Sequence, residues 1–202
     1  MMALPVLLIA YFLGAIPFGY LLVKWKTGAD VRGSGSGNIG ATNVLRTTGR
    51  AAGIATLLLD IGKGYLAVWI AGSLTGHDPL WMSAGALAVM AGHAYPVFLR
   101  FQGGKAMASF VGAFLCLTPL ALAAILVVFV GVVAWTRFIS LGSIVAAAVF
   151  PLAVWIIMLP PLPVEGAAVL AAALIVYKHN GNIRRLHAGT EHVFTFGGRK
   201  QG

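Results

Sequence analysis

Three short segments of the chain concentrate its hydrogen-bond donors and cations. The first reads Gly33-Ser34-Gly35-Ser36-Gly37-Asn38-Ile39-Gly40-Ala41-Thr42-Asn43, with Arg46 close behind. Glycines at Gly33, Gly35, Gly37 and Gly40 let successive backbone N–H groups converge on one point. Ser36, Thr42 and the amides of Asn38 and Asn43 add neutral donors, and Arg46 adds a fixed charge. That set suits a phosphate or another oxyanion. The bland alternative is a flexible linker, although linkers seldom mix Gly with Asn-Ile and Thr-Asn. No G-x-x-x-x-G-K-[ST] spacing occurs, which argues against nucleotide hydrolysis. The second segment runs from Gly92-His93 to Gly103-Gly104-Lys105, and the third from Lys178-His179 through Asn182 to Glu191-His192. His179 and Asn182 stand three residues apart, on one face of any helical continuation.

The remaining polar residues are sparse. Asp60 and Lys63 share a helical face within an apolar stretch and are read as a structural ion pair. His93, near the end of another such stretch, reads as a hydrogen-bonded core residue rather than a base. Ser140 and Ser143 follow Arg137, and Ser143 either adds a hydroxyl to an anion site or packs. No cofactor and no metal are expected, because Cys116 is the only cysteine and no H-E-x-x-H or carboxylate cluster exists. Neither a G-x-S-x-G elbow nor the His-x-x-x-x-Asp pattern of the commoner membrane-associated acyltransferases is found. On the basic side of the chain the carboxylates are Asp30, Asp60 and Glu191. The chemistry therefore rests on donors and cations more than on side-chain bases.

Such groups need elements to position them. With 59% hydrophobic and 9% charged residues in 202, the chain has too few charges to cover a water-soluble globule. A single cysteine excludes an intramolecular disulfide. Apolar spans are predicted at 3–23, 51–75, 79–99, 106–118, 119–136, 141–159 and 164–178, with Thr118-Pro119 separating the fourth from the fifth. Basic residues fall in alternate connections: Lys24, Lys26, Arg32, Arg46 and Arg50, then Arg100 and Lys105, then Arg137, then the tail. The expected fold is an all-α integral membrane protein with seven transmembrane helices, its N-terminus outside and C-terminus cytoplasmic, forming one domain over 1–202. The first stretch reads as a retained helix rather than a signal peptide. The net charge of +9 then belongs to membrane lipid and an anionic substrate, with no nucleic acid expected. Arg199 and Lys200 read as topology anchors on anionic lipid. Between Lys105 and Thr118-Pro119 stand only about 13 residues, too few for a core roughly 30 Å thick. That helix should begin below the membrane surface and offer its N-terminus and Lys105 to an anion, the alternative being a lysine that snorkels to the headgroups.

The segments G-S-G-N-I-G-A-T-N-V-L-R (35–46), G-H-A-Y-P-V-F-L-R-F-Q-G-G-K (92–105) and H-N-G-N-I-R-R-L-H-A-G-T-E (179–191) resemble the three cytoplasmic motifs of the bacterial PlsY-type glycerol-3-phosphate acyltransferases. Order, spacing and placement match over essentially the whole chain. The resemblance implies a multi-pass enzyme of the bacterial inner membrane with its active site facing the cytoplasm. It implies transfer of a fatty acyl group from acyl phosphate to the sn-1 hydroxyl of glycerol 3-phosphate, giving lysophosphatidic acid and phosphate, with functional coupling to the enzyme that makes acyl phosphate. Gly35, Ser36, Gly37, Asn38, Thr42 and Asn43 would hold the acyl-phosphate headgroup. Arg46, Lys105, His179 and Asn182, with Gly103, Gly104 and Ser143, would hold the glycerol 3-phosphate or order the site. Two departures stand out: Ala106 follows Lys105 where the family usually has glycine, and Asn180-Gly181 replaces a more charged pair. A transporter for an organic phosphate and a lipid-binding scaffold are the competing readings, and the clustering of polar motifs on one side counts against the first.

Overall fold

The computed structural model describes residues 3–194; Arg199 and Lys200 lie outside them. Among the described residues the regular structure is helical, in ten α-helices and two short 3₁₀ turns. The first apolar stretch forms α1 (Ala3–Ala15) and α2 (Phe18–Thr27), separated at Ile16-Pro17 because proline cannot donate to the preceding turn. A helix not anticipated from sequence, α3 (Ala41–Thr48), follows the glycine segment. Then come α4 (Arg50–Thr75), α5 (Pro79–Ala94), α6 (Met107–Leu117), α7 (Pro119–Thr136), α8 (Ile139–Met158), α9 (Leu162–Lys178) and α10 (Asn180–His187).

Among the described residues, five stretches are long and apolar enough to cross a membrane: Leu4–Thr27, Arg50–Thr75, Pro79–Leu99, Pro119–Thr136 and Ile139–Met158. A sixth results if α9 and α10, bent by 55° across His179, count as one span. The helical continuation expected beyond His179 is thus a new helix on a different axis. The predicted fourth span is α6, whose 11 residues cover about 16 Å, roughly half the apolar thickness.

Helix contacts explain how so small a protein holds a site. Gly64 and Gly112 let α4 and α6 touch backbone to backbone, a Cβ on Gly112 colliding with the Ile61 carbonyl and one on Gly64 with that of Ser109. Close approach at small residues is how helices gain contact area in lipid, where apolar association has little driving force. The core lies between α4, α5, α6, α8 and α9, centred on Phe110, Phe114 and Phe150, whose ring centroids stand 4.8–5.0 Å apart. Large side chains such as Leu58, Trp69, Val127 and Trp155 stay exposed on the outer faces, as a lipid-facing surface requires. Helix α7 packs chiefly on α8, which leaves a cleft between it and α4.

Candidate active site

The glycine segment owes its shape to Asn43, at the start of α3. Its buried Nδ2 donates to the carbonyls of Ser34 (3.0 Å) and Asn38 (2.9 Å), with Val31 further off at 3.4 Å. Its Oδ1 accepts from the Ser36 amide at 2.9 Å. Asn38 Oδ1 accepts from Gly40 N at 2.8 Å, and Gly37 N donates to Ser34 O at 3.0 Å. The amides of Ser36, Gly37 and Gly40 are therefore taken up within the loop, not convergent on an open nest. Asn43, expected to meet a phosphate, organises the loop through its side-chain amide and also reaches the cavity.

The loop edges a cavity of about 540 Å³. Ser36, Asn38, Thr42 and Asn43 line it from one side, with Arg46 from the next turn of α3. Lys105 enters just before α6, Ser140 and Ser143 from the first turns of α8, and His179 and Asn182 from the α9–α10 corner. Gly35, Gly37, Gly103 and Gly104, expected to bind substrate, do not line the cavity. They shape its walls: Gly35 and Gly37 adopt φ of 58° and 70°, left-handed geometry that costs glycine little. Deeper in, the lining turns apolar, through Ile54, Leu57 and Ile61 of α4, Val111 of α6, and Leu126 and Phe129 of α7. The cavity is amphipathic, polar at the loops and apolar inward.

Electrostatics divide the site's polar groups into two sets. Among the described residues, Arg46 and Lys105 make no hydrogen bond or ion pair. Burial pushes the Lys105 ammonium down to about 8, Glu191 opposing that shift and Arg185 and Arg46 adding to it. The second set is organised by Glu191, which sequence reasoning noted only as a carboxylate and left out of the site. Its Oε1 accepts from Ser140 Oγ (3.0 Å) and Asn182 Nδ2 (2.8 Å), and its Oε2 from Arg185 Nε (2.8 Å). Burial pushes the Glu191 carboxyl up, but those three donors outweigh it and hold the group below its ordinary range. The signal for Glu191 was its rarity as an acid in a basic tail. Phe194 N donates to Arg137 O at 2.8 Å, tying the same tail to the start of α8.

His179 is buried, and its Nδ1 lies 2.7 Å from the Ile175 carbonyl. A carbonyl only accepts, so Nδ1 carries a proton and the acceptor of a neutral ring is Nε2. Ser143 Oγ donates back to Ile139 O at 2.9 Å, which leaves its lone pairs for a ligand. The expected Asp60–Lys63 pair is present at 2.8 Å, and Asp60 and His93 both reach the cavity wall.

Comparison with known proteins bears on the family and the fold. The family model described as glycerol-3-phosphate acyltransferase matches residues 4–189. A glycerol-3-phosphate acyltransferase of Geobacter sulfurreducens is 50% identical over 186 residues, covering 92% of this chain and 94% of its own. One from Trichlorobacter lovleyi is 51% identical over 185 residues, with the same coverage. The crystal structure of PlsY (YgiH), an integral membrane glycerol 3-phosphate acyltransferase, in its glycerol 3-phosphate form has a TM-score of 0.91 at 38% identity over 96% of each chain. The chain belongs to the PlsY family of glycerol-3-phosphate acyltransferases. The lysophosphatidic acid form of PlsY gives a TM-score of 0.88 at 37% identity. Family membership and the apolar helices together make the protein a multi-pass membrane protein.

Proposed function

We propose that this protein transfers a fatty acyl group from acyl phosphate to the sn-1 hydroxyl of glycerol 3-phosphate, yielding lysophosphatidic acid and inorganic phosphate. The observation that carries the reading is the pair Arg46 and Lys105. They come from separate elements, lack partners among the described residues, and share one cavity whose depth is apolar. Two unpaired cations suit phosphate, and an apolar continuation suits an acyl chain. Glycerol 3-phosphate is the substrate that the PlsY crystal form holds, and a lysophosphatidic acid form exists for the same protein.

In this reading the sn-1 hydroxyl oxygen attacks the acyl carbonyl carbon, the bond from that carbon to the phosphate oxygen breaks, and the hydroxyl proton passes to the departing phosphate. Acyl phosphate is a mixed anhydride, so its carbonyl is already activated and no acyl-serine is required. Ser36, Asn38 and Thr42 hold the donor's phosphate. Arg46 and Lys105, with Ser143, hold the acceptor's, Asn182 orders that wall through Glu191, and Nε2 of His179 orients the hydroxyl. Catalysis then comes from holding two mutually repelling anions at reaction distance and from stabilising the carbonyl oxyanion.

The whole chain acts as one unit in the inner membrane of a bacterium, with seven spans, the N-terminus outside and the site on the cytoplasmic side. The alternation of basic connections supports that orientation. Its donor comes from an enzyme that makes acyl phosphate. The test is formation of lysophosphatidic acid from labelled glycerol 3-phosphate by purified protein in lipid, comparing a long-chain acyl phosphate with the matching acyl-CoA. Product from acyl phosphate alone is expected. Product from acyl-CoA alone overturns the donor, and a hydroxylamine-sensitive acyl group trapped on Ser36 overturns direct transfer.

A further inference from the structure

A polar ladder crosses four helices directly beneath the loop that carries Lys105. Ile16 O, which accepts from Phe18 N at 3.1 Å where α1 breaks before Pro17, also accepts from Lys63 Nζ of α4 at 2.8 Å. Lys63 Nζ also lies 2.8 Å from Asp60 Oδ1. On the far side of that carboxylate, His93 Nδ1 of α5 stands 3.6 Å away and is 3.3 Å from Ser109 Oγ of α6. Lys63, Asp60, His93 and Ser109 are all buried. Taking charges out of water is costly, so an isolated ion pair of this kind stabilises a fold weakly. Within it the His93 ring makes one side-chain hydrogen bond, to Ser109, and faces the Asp60 carboxylate at a distance too long for a second.

That ring meets the Lys105 loop at two points. Gly104 N donates to His93 O at 3.0 Å. The Gly104 Cα faces the ring itself, and a Cβ there would collide with His93 Nε2. Gly103 is pressed against the same residue, where a Cβ would collide with His93 O and Pro96 Cδ. The end of α5 is held from outside as well: Lys178 Nζ donates to Ala94 O at 3.0 Å, and Tyr11 Oη to Tyr95 O at 2.8 Å. Lys105 is the next residue after Gly104, and Ala106, at φ 60°, turns the chain into α6.

We propose that His93, hydrogen-bonded to Ser109 and facing the Asp60 carboxylate, is a positioning residue that sets where Lys105 presents its ammonium in the cavity. His93 does this through Gly103 and Gly104 and takes no part in bond making. The inference rests on Lys105 binding the phosphate of glycerol 3-phosphate, as argued above. A displacement of about 1 Å at such a group costs large factors in rate, so the Gly103-Gly104 seat against His93 is a requirement of the chemistry and not only of packing.

The test is a mutant cycle on purified protein in lipid, reading kcat and KM for glycerol 3-phosphate, the pH at which kcat/KM falls, and thermal unfolding. Gly104→Ala pushes on the His93 ring and is expected to raise KM about tenfold or more. His93→Asn keeps an amide where Nδ1 stands and removes the ring edge that faces Gly104. The double variant should therefore bring the KM raised by Gly104→Ala most of the way back toward its original value. Multiplying losses would overturn the proposal, since a generally weakened fold gives no mutual suppression. If the Gly104 variant does not fold, Ser109→Ala removes one tether of the ring: a KM raised about threefold with kcat unchanged supports the proposal, and an unchanged KM overturns it. Loss of kcat at constant KM in His93→Asn would make His93 catalytic and overturn a positioning role. Lys105→Ala separates the two layers. An unchanged KM there refutes the phosphate role of Lys105, while suppression read by thermal unfolding still reports the His93–Gly104 contact.

Discussion

Asn182 donates its side-chain amide to Glu191 at 2.8 Å, so the tail beyond α10 folds back onto a residue that sequence alone assigned to substrate. The carboxylate also receives Ser140 and Arg185, and it sits in the field of Lys105 and Arg46. Glu191 thereby joins α8, α10 and the tail into one wall of the cavity.

Removing this acid should be felt in two ways. Glu191→Ala leaves three donors without their charged acceptor and is expected to cost about 2–3 kcal/mol of stability, read as a lowered midpoint of thermal unfolding in detergent. In Glu191→Gln the opposing charge on Lys105 disappears, so the basic limb of the pH–rate profile should move to lower pH. An unmoved limb would show that Glu191 and Lys105 do not sense each other.

Lys105 itself predicts a pH dependence. Burial holds its ammonium down to about 8, so the charged form that binds phosphate prevails below that pH and is lost as pH rises through it. For the free enzyme, kcat/KM for glycerol 3-phosphate should fall about tenfold per pH unit above 8, while kcat breaks later because bound phosphate favours the ammonium. Lys105→Arg keeps its charge at every accessible pH and should lose the limb. Lys105→Ala should be lowered roughly a hundredfold in kcat/KM and flat across the range. A limb near 8 that persists in Lys105→Arg would assign it to another group.

Asn43 and Ser36 separate scaffold from ligand. Asn43→Asp replaces donors with acceptors in front of the Ser34 and Asn38 carbonyls, and the expected loss is about 3 kcal/mol of stability together with activity. Ser36→Ala removes a hydroxyl with no partner among the described residues. It should leave thermal unfolding unchanged within about 0.5 kcal/mol and lower turnover of acyl phosphate. A destabilised Ser36→Ala, or an active Asn43→Asp of ordinary stability, would reverse the two roles.

Much of this was legible in the chain. Apolar runs, Thr118-Pro119 and the three polar segments depend on local composition, because helix length, proline and the cost of charge in lipid act residue by residue. Ser36, Arg46, Lys105, Ser143, His179 and Asn182 line one cavity; residue type near helix ends, together with the family resemblance, marked them as candidates in the chain. The glycine segment was legible as a turn-forming stretch but not as a closed loop, since the partners of its amides are chosen by Asn43 only once α3 has formed.

The sequence by itself determined that this is an all-helical membrane chain whose polar chemistry gathers at three places, because burial in lipid leaves few other arrangements for so apolar a polymer. Only the tertiary structure decided which of those polar atoms remain for a ligand. Asn43 faces loop carbonyls, Gly103 and Gly104 seat on His93, and Glu191 caps the donors of Ser140, Asn182 and Arg185. Most join residues a few to about ten positions apart, with Ser140 and Glu191 separated much further, and each forms only once the glycine loop, the α5–α6 connection or the tail has folded back on its neighbours. Hydrogen-bond partners of this kind are determined by packing, which no local pattern of residues records.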